Sequence, residues 1–469
     1  MLTPVTSGFL DRLRTRLPQV LRAAEPRDLE EPRGRWTGQG RAVAMPRSTA
    51  EVAEVVRVCA AERVGIVPLA GGTGLVGGQI APTGPEPLIL SLERMTALRG
   101  AYPQENVLVV EAGMVLAEVQ EQAARLDRLF PLSLASEGSA RIGGTLATNA
   151  GGVNVLRYGN TRDLVLGVEA VLADGTVVNG LGRLRKDNPG YDLRHLLIGS
   201  EGTLGIITAA SLRLSPRPAS QVAGLLAVPS PEAALRLLSL AEERLTGMIS
   251  AFELIHRTGY DFLAEAMPQV AVPLAPLPEW SVLLDLGLPR EIEAEEALAM
   301  LYAEAEEAGL VLDGVIALGA AQRDGLWRIR ESIPLANRKI GAISSHDISL
   351  PLSEIAAFIP RATAALARLG DFRVNCFGHL GDGNLHFNVF PARGRSRAEY
   401  EAQREAVKTL VHDMVDDMGG SVSAEHGIGR LKVGDLERYG DPGKLAAMRA
   451  IKTALDPLGI LNPGAVLRG

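Results

Sequence analysis

Only two cysteines occur in the 469 residues, Cys59 and Cys376. They are far apart and in neither metal nor redox spacing, which excludes a disulfide framework and a zinc–thiolate site; each is expected to be a buried small apolar residue. Positive charge is also short. Lys and Arg number 48 against 55 Asp and Glu, a formal charge of -7. That excludes nucleic acid as a partner, because phosphate binding needs a basic surface, and an anionic ligand would need local positive charge. The apolar stretches are cut by proline or charge before they could cross a membrane, so no transmembrane segment is expected. The opening Met1-Leu2-Thr3-Pro4, leading to Asp11, Arg12, Arg14 and Arg16, lacks the apolar core of a secretory signal. A cytoplasmic location is the expectation. No repeat period or low-complexity segment is present.

Hydrophobic residues make up 46% and charged residues 22%, as in an average soluble globular protein. A chain this long exceeds one ordinary hydrophobic core, so two or more domains with clefts for ligands are expected. Ser48-Thr49-Ala50-Glu51 is a capping box, and Val52, Val55, Val56 and Cys59 follow at helical spacing, predicting a helix to about Arg63 and a strand over 65–69. A second βαβ-like pattern is read in Val107-Leu108-Val109-Val110 and the helix that begins at Leu116. Ala173-Asp174-Gly175-Thr176 reads as a hairpin turn. After the break Ser215-Pro216-Arg217-Pro218 the texture changes to helices over 231–245 and 291–308 with short strands such as 281–286. The expected organisation is 1–218, then 219–420 as a second α+β domain, then a C-terminal segment 421–469.

Glycine is the one excess, 51 of 469 residues, about 11% against a usual level of roughly 7%. Gly71-Gly72-Thr73-Gly74-Leu75-Val76-Gly77-Gly78 contains a formal G-x-G-x-x-G at Gly72, Gly74 and Gly77, and Glu93 lies at roughly the Rossmann spacing. A Rossmann fingerprint needs a helix to hold the pyrophosphate, and Gly78, Pro82, Gly84, Pro85 and Pro87 make one very costly here. What remains is a loop whose bare N–H groups form an anion-binding nest. Two further clusters, 142–152 and 199–207, are read as glycine loops, the last leading directly into a strand. Three separated loops suit an extended dinucleotide better than a single phosphate.

In these stretches the sequence resembles the FAD-binding family typified by vanillyl-alcohol oxidase and p-cresol methylhydroxylase, over nearly the whole chain. The resemblance implies an α+β fold: a two-subdomain FAD-binding domain, and a substrate domain with an antiparallel sheet. It implies FAD contacts at Pro68, Gly71, Gly72, Thr73, Gly74, Leu75, Gly78 and Gln79. The same holds for Gly138, Gly143, Gly144, Thr148, Asn149, Gly151, Gly152, Tyr158, Glu201, Gly202, Ile206 and Ile207, with Asn462 near the flavin. Relatives that tether FAD do so through a histidine in or near the first loop; none stands near Thr73, so FAD is expected to be noncovalent.

Of seven histidines, three fall in two short motifs. Phe377-Gly378-His379-Leu380-Gly381-Asp382-Gly383-Asn384-Leu385-His386-Phe387-Asn388 reads as a hairpin turning at Asp382-Gly383. That register makes His379 and His386 direct cross-strand partners and puts Asn388 on their face. Two imidazoles so placed can chelate one ion, and Ala424-Glu425-His426-Gly427 adds a carboxylate beside another histidine. Such a set suits zinc, manganese or ferrous iron, and spacing alone does not choose among them, though zinc is the first expectation.

With the glycine loops, these motifs resemble the D-2-hydroxyglutarate, D-lactate and glycolate dehydrogenase branch of that family. The resemblance implies His379, His386 and Glu425 as metal ligands, His426 as base, Asn388 at the substrate and Arg330 on a substrate carboxylate. It departs where hydroxyglutarate enzymes place a threonine and a lysine: here stand Pro334 and Ser345, which weakens the case for hydroxyglutarate itself. The adjacent His346 is either a cation donor or simply a histidine at a strand start. The expected activity is oxidation of a small anionic D-2-hydroxy acid to the 2-oxo acid, with hydride passing to flavin N5 and then to an unidentified electron acceptor. A homodimer is the default assembly. A metal-dependent hydrolase leaves the glycine loops unexplained. A flavin electron-transfer subunit with a structural metal and a non-redox ether-lipid synthase are the remaining alternatives.

Overall fold

The computed structural model describes residues 1–468. It divides into two compact units: unit 1 comprises Met1–Gly152, Gly159–Arg217 and the chain from Glu425 onward, and unit 2 comprises Val153–Tyr158 and Pro218–Ala424. The architecture is α+β in both.

Unit 1 holds two main sheets. In the first, the strands Leu21–Ala23, Ala42–Ala44, Leu88–Ser91 and Ile66–Leu69 lie side by side in that order, with Leu88–Ser91 parallel to both neighbours. The helix Thr49–Glu62 connects Ala42–Ala44 to Ile66–Leu69, as its periodicity predicts. Ser48 caps it by accepting the Glu51 N–H at 3.2 Å, and the Glu51 carboxylate takes the N–H of Arg47, one residue before the cap, at 2.7 Å. Val52, Val55, Val56 and Cys59 are fully buried in one cluster with Ile66, Leu88 and Leu90. The apolar stripe therefore holds helix to sheet, each buried valine contributing roughly 1.5–3 kcal/mol.

The second sheet runs Leu98–Tyr102, Val107–Glu111, Ile206–Arg213, Val165–Val171, Val177–Gly180 and is antiparallel throughout. The second βαβ unit expected from Val107–Val110 is thereby corrected. A short connection closes Leu98–Tyr102 onto Val107–Glu111 at little entropic cost, and the strand after the helix Leu116–Arg125, Arg128–Leu129, pairs antiparallel with Ser215–Pro216. The turn read at 173–176 is present, with Gly175 at φ 81.

Unit 2 is built on a seven-stranded antiparallel sheet. Its order is Asp313–Ile316, Ser220–Val228, Trp280–Leu288, Ile249–His256, Phe372–His379, Asn384–Pro391, Asp347–Ser349. Alternation along the strands sends neighbouring residues to opposite faces. Phe390 packs in one cluster with Tyr260 and Ile333, from the helices Arg257–Ala266 and Ala320–Ile340. Phe387 meets the ring of Phe358, from the helix Leu352–Leu369, at 5.3 Å. The segment Val153–Tyr158 belongs to this unit because Arg157 Nη1 donates to Gly287 O at 2.7 Å and to Ser250 Oγ at 3.2 Å. Ser421–Ala424 stays with it too: Ser421 pairs with Ser349, and the Ala424 N–H donates to Asp347 O at 3.2 Å. Truncating fully buried Phe358 to alanine is expected to cost about 3–5 kcal/mol, seen as a lower urea midpoint for the unit 2 transition with an unchanged slope.

Candidate active site

In unit 2 the strand Asn384–Pro391 places His386 and Asn388 on one face. The expected direct pairing of His379 with His386 is corrected: His386 faces Phe377 on one side and Asp347 on the other, and Asn388 faces Asn375. The reason lies in the turn. Past His379 the chain makes a 3-10 turn, Leu380–Asp382, before Gly383 at φ 83, so more than two residues reverse the chain and the register moves by two. A side chain at Gly383 would also meet Leu350 O at 2.4 Å. His379 pairs instead with Glu253 of the strand Ile249–His256. The two imidazole rings still come together, with centroids 5.6 Å apart and planes at 76°.

Behind them lies Glu253, which sequence reasoning missed. It is 0% exposed, with Oε1 2.5 Å from His379 Nδ1 and Oε2 accepting from Arg330 Nε at 2.6 Å. Burial by itself would push this carboxyl up; Arg330 and His379 together outweigh burial and hold it down at about 2. The available signal was a lone acid in the apolar run Ile249–His256, since a buried carboxylate demands charged partners. Arg330 is not a solvated helix arginine. It is 6% exposed, and its guanidinium lies over the Phe377 ring at 4.7 Å.

The Asn388 side-chain oxygen accepts the His346 N–H at 3.1 Å, and the His346 ring sits edge-on to His412 at 5.1 Å. Pro334 and Ser345 are both exposed. Tyr158, half-buried in unit 2, has its phenol pushed up by burial.

In unit 1 the first glycine loop follows the strand Ile66–Leu69, which contains Pro68, and has no helix behind it. Four of its carbonyls are held by side chains. Gln79 Nε2 donates to Gly72 O and Gly74 O at 3.3 and 2.8 Å, Arg430 Nη1 to Gly77 O and Gly78 O, each at 3.1 Å, and Asn462 Nδ2 to Gly78 O at 2.9 Å. Among the described residues, none of the backbone N–H groups of Gly71, Gly72, Thr73, Gly74, Leu75, Val76, Gly77 and Gly78 donates to a protein acceptor. Such a row of donors is what an anionic diphosphate requires.

The second cluster differs from expectation. Ile142–Thr148 is a helix, and the amides read as free donors are engaged: Gly143 N donates to Ala112 O at 2.7 Å and Gly144 N to Arg141 O at 2.9 Å. Thr148 and Asn149 end it, Asn149 at φ 50, with Gly151 and Gly152 beyond. In the third cluster, Glu201 and Gly202 turn into the strand Ile206–Arg213, where Ile206 and Ile207 are buried. The Glu201 carboxylate accepts the N–H groups of Ile428 and Gly429, each at 2.8 Å, while burial pushes its carboxyl up against those bonds. Asn462 Nδ2 also donates to Glu201 O at 2.8 Å and its Oδ1 accepts from Arg430 at 2.9 Å. Glu201 and Asn462 thus clasp the segment after Glu425 and His426 to the first loop. His426 Nε2 lies 3.6 Å from Glu425 Oε1. Gly138 is exposed in the turn before Ala140.

Residues 40–180 match the family described as FAD binding domain, and residues 217–466 match FAD linked oxidases, C-terminal domain. The chain belongs to the FAD-linked oxidase family. This FAD-linked oxidase is 38% identical over 458 residues to a D-2-hydroxyglutarate dehydrogenase of Xanthomonas citri pv. viticola, covering 96% of this chain and 95% of the relative. It is 38% identical over 435 residues to the mitochondrial D-2-hydroxyglutarate dehydrogenase of Arabidopsis thaliana, covering 92% of this chain and 76% of the relative. These matches place it in the D-2-hydroxy-acid dehydrogenase branch. Its fold is shared with p-cresol methylhydroxylase at a TM-score of 0.76 and 18% identity, covering 100% and 99% of the two chains. It is also shared with alkyldihydroxyacetonephosphate synthase at 0.72 and 16%, covering 98% and 85%.

The oxidase's glycine loop fits FAD, because the donors of Gly71 to Gly78 have no protein acceptor while the carbonyls of Gly72, Gly74, Gly77 and Gly78 are engaged by side chains. Among the described residues no helix is long and apolar enough to cross a membrane. Asn462→Ala should leave the carbonyls of Gly78 and Glu201 short of a donor, a loss of about 1–3 kcal/mol. Fluorescence titration of the apoprotein should then show FAD affinity falling by about tenfold or more; unchanged affinity would remove Asn462 from the loop's support.

Proposed function

We propose that this FAD-linked oxidase oxidises a D-2-hydroxy acid to the 2-oxo acid, with one divalent ion held by His379, His386 and Glu425 and with His426 as base. The reading is carried by the pairing of two imidazoles, 5.6 Å between centroids, with a buried arginine over the neighbouring Phe377, in a chain whose relatives are named for a 2-hydroxy acid. Two imidazoles and a carboxylate suit zinc, manganese or ferrous iron. Connectivity supports Glu425 as the third ligand: Ala424, bonded to it, is tied to Asp347, the strand neighbour of His386.

When bound, the ion acidifies the substrate hydroxyl and the flavin accepts hydride at N5. The chain's own residues do the rest. Arg330 pairs with the substrate carboxylate through its terminal nitrogens, in two parallel hydrogen bonds. Asn388 contacts the bound acid. His426 takes the hydroxyl proton on a ring nitrogen as the C–H bond breaks, so the substrate loses one hydride and one proton. Neither Pro334 nor Ser345 offers a cation for a second carboxylate, so we assign the class, D-2-hydroxy acid, rather than hydroxyglutarate alone. The free donors of Gly71 to Gly78 and the FAD-binding match disfavour a metal-dependent hydrolase.

Anaerobic mixing with a panel of D- and L-2-hydroxy acids should bleach the flavin only with D isomers or with achiral glycolate; no bleaching by any member would refute the reading. His386→Ala is expected to keep FAD and lose both ion and turnover, checked by metal analysis of the purified variant. His426→Ala should retain both cofactors and slow flavin reduction by about 10²-fold or more, and wild-type rates in stopped flow would take His426 out of the reaction.

A further inference from the structure

Glu253 divides its two oxygens between two groups with different tasks. Oε1 meets Nδ1 of His379, and Oε2 meets Nε of Arg330. We infer that Glu253 is a positioning residue that sets the spacing between the ion and the carboxylate-binding arginine, and so selects acids whose hydroxyl stands on the carbon next to the carboxylate. The inference rests on the function proposed above and deepens it.

An imidazole that donates its Nδ1 hydrogen to a carboxylate has its tautomer settled. The ion is then met by Nε2, and the ring gains basicity from its charged neighbour. Arg330 gives its Nε to Glu253, which leaves the terminal nitrogens for a substrate carboxylate, and its guanidinium carbon lies over the Phe377 ring at 4.7 Å. The same Phe377 ring lies 5.0 Å from that of His386. One rigid carboxylate and one aromatic ring therefore hold a metal ligand and the arginine at a constant separation. A 2-hydroxy acid presents oxygen and carboxylate from adjacent carbons, whereas a 3-hydroxy acid needs a wider span. Stability gives no sufficient reason for this arrangement, because a buried ion pair is commonly no better than apolar residues of equal volume.

The test uses FAD-loaded protein stripped of metal and re-titrated with Zn²⁺ by calorimetry. E253Q is expected to retain full FAD, to bind Zn²⁺ about 10- to 100-fold more weakly, and, at saturating Zn²⁺, to show a raised KM for the D-2-hydroxy acid. It should also discriminate less between 2-hydroxy and 3-hydroxy acids. A purely structural role would lower the melting temperature while leaving Zn²⁺ affinity and KM as they were, and that result overturns the inference. Should E253Q fail to fold, E253D keeps the charge but cannot span both partners; it is expected to show the same weakened Zn²⁺ binding, and wild-type affinity in it is equally fatal. Wild-type holoenzyme that takes up no ion overturns the proposed function and this inference together, whereas wild-type uptake matched by E253Q overturns this one alone.

Discussion

A carboxylate removed from water must find positive or hydrogen-bonding partners or lose its charge, and each unit of this chain contains one such group on which its candidate site depends. In unit 2 Glu253 has no exposure and is satisfied by an arginine and a histidine. In unit 1 Glu201 is satisfied by two backbone amides, those of Ile428 and Gly429. The two solutions have different consequences. A side-chain partner is oriented as a chemical group, so His379 and Arg330 acquire fixed faces. Backbone partners are oriented as chain, so the stretch following Glu425 and His426 is laid down along a definite path.

The glycine loop works by the complementary rule that a peptide's two polar groups point in opposite directions. Gln79, Arg430 and Asn462 draw the carbonyls of Gly72, Gly74, Gly77 and Gly78 toward the protein. The amides are left for an acceptor that the chain does not supply. A Rossmann site reaches the same end with a helix N-terminus. Here side chains replace the helix, one from the loop's own end at Gln79 and two from far along the chain, so the loop's capacity for an anion depends on the C-terminal segment that carries Arg430 and Asn462.

Much of this was legible in the sequence where local physics decides. The helix Thr49–Glu62 follows from an apolar repeat and a serine cap, and the turn at 173–176 from its Asp-Gly pair. Legibility failed where two local rules compete. Asp382-Gly383 is a good two-residue turn in isolation, yet the chain prefers a 3-10 turn before Gly383, and the histidine register moves with it. Gly143 and Gly144 read as loop, but they lie in a helix packed so closely that a Cβ at Gly143 would meet the Ala112 side chain at 2.9 Å and one at Gly144 the Ala70 side chain at 3.2 Å.

By itself the amino-acid order determined the family, the α+β class, the two imidazoles and the acid–histidine pair at 425–426, because these rest on residue types at short spacing. Tertiary structure alone decided that Glu253 joins His379 to Arg330, and that Glu201 and Asn462 support loops with their side chains. Those contacts link residues 77, 126, 227, 261 and 384 positions apart. No periodicity reaches across such separations; only the packing of sheets and helices around a buried charge brings the partners within hydrogen-bonding distance.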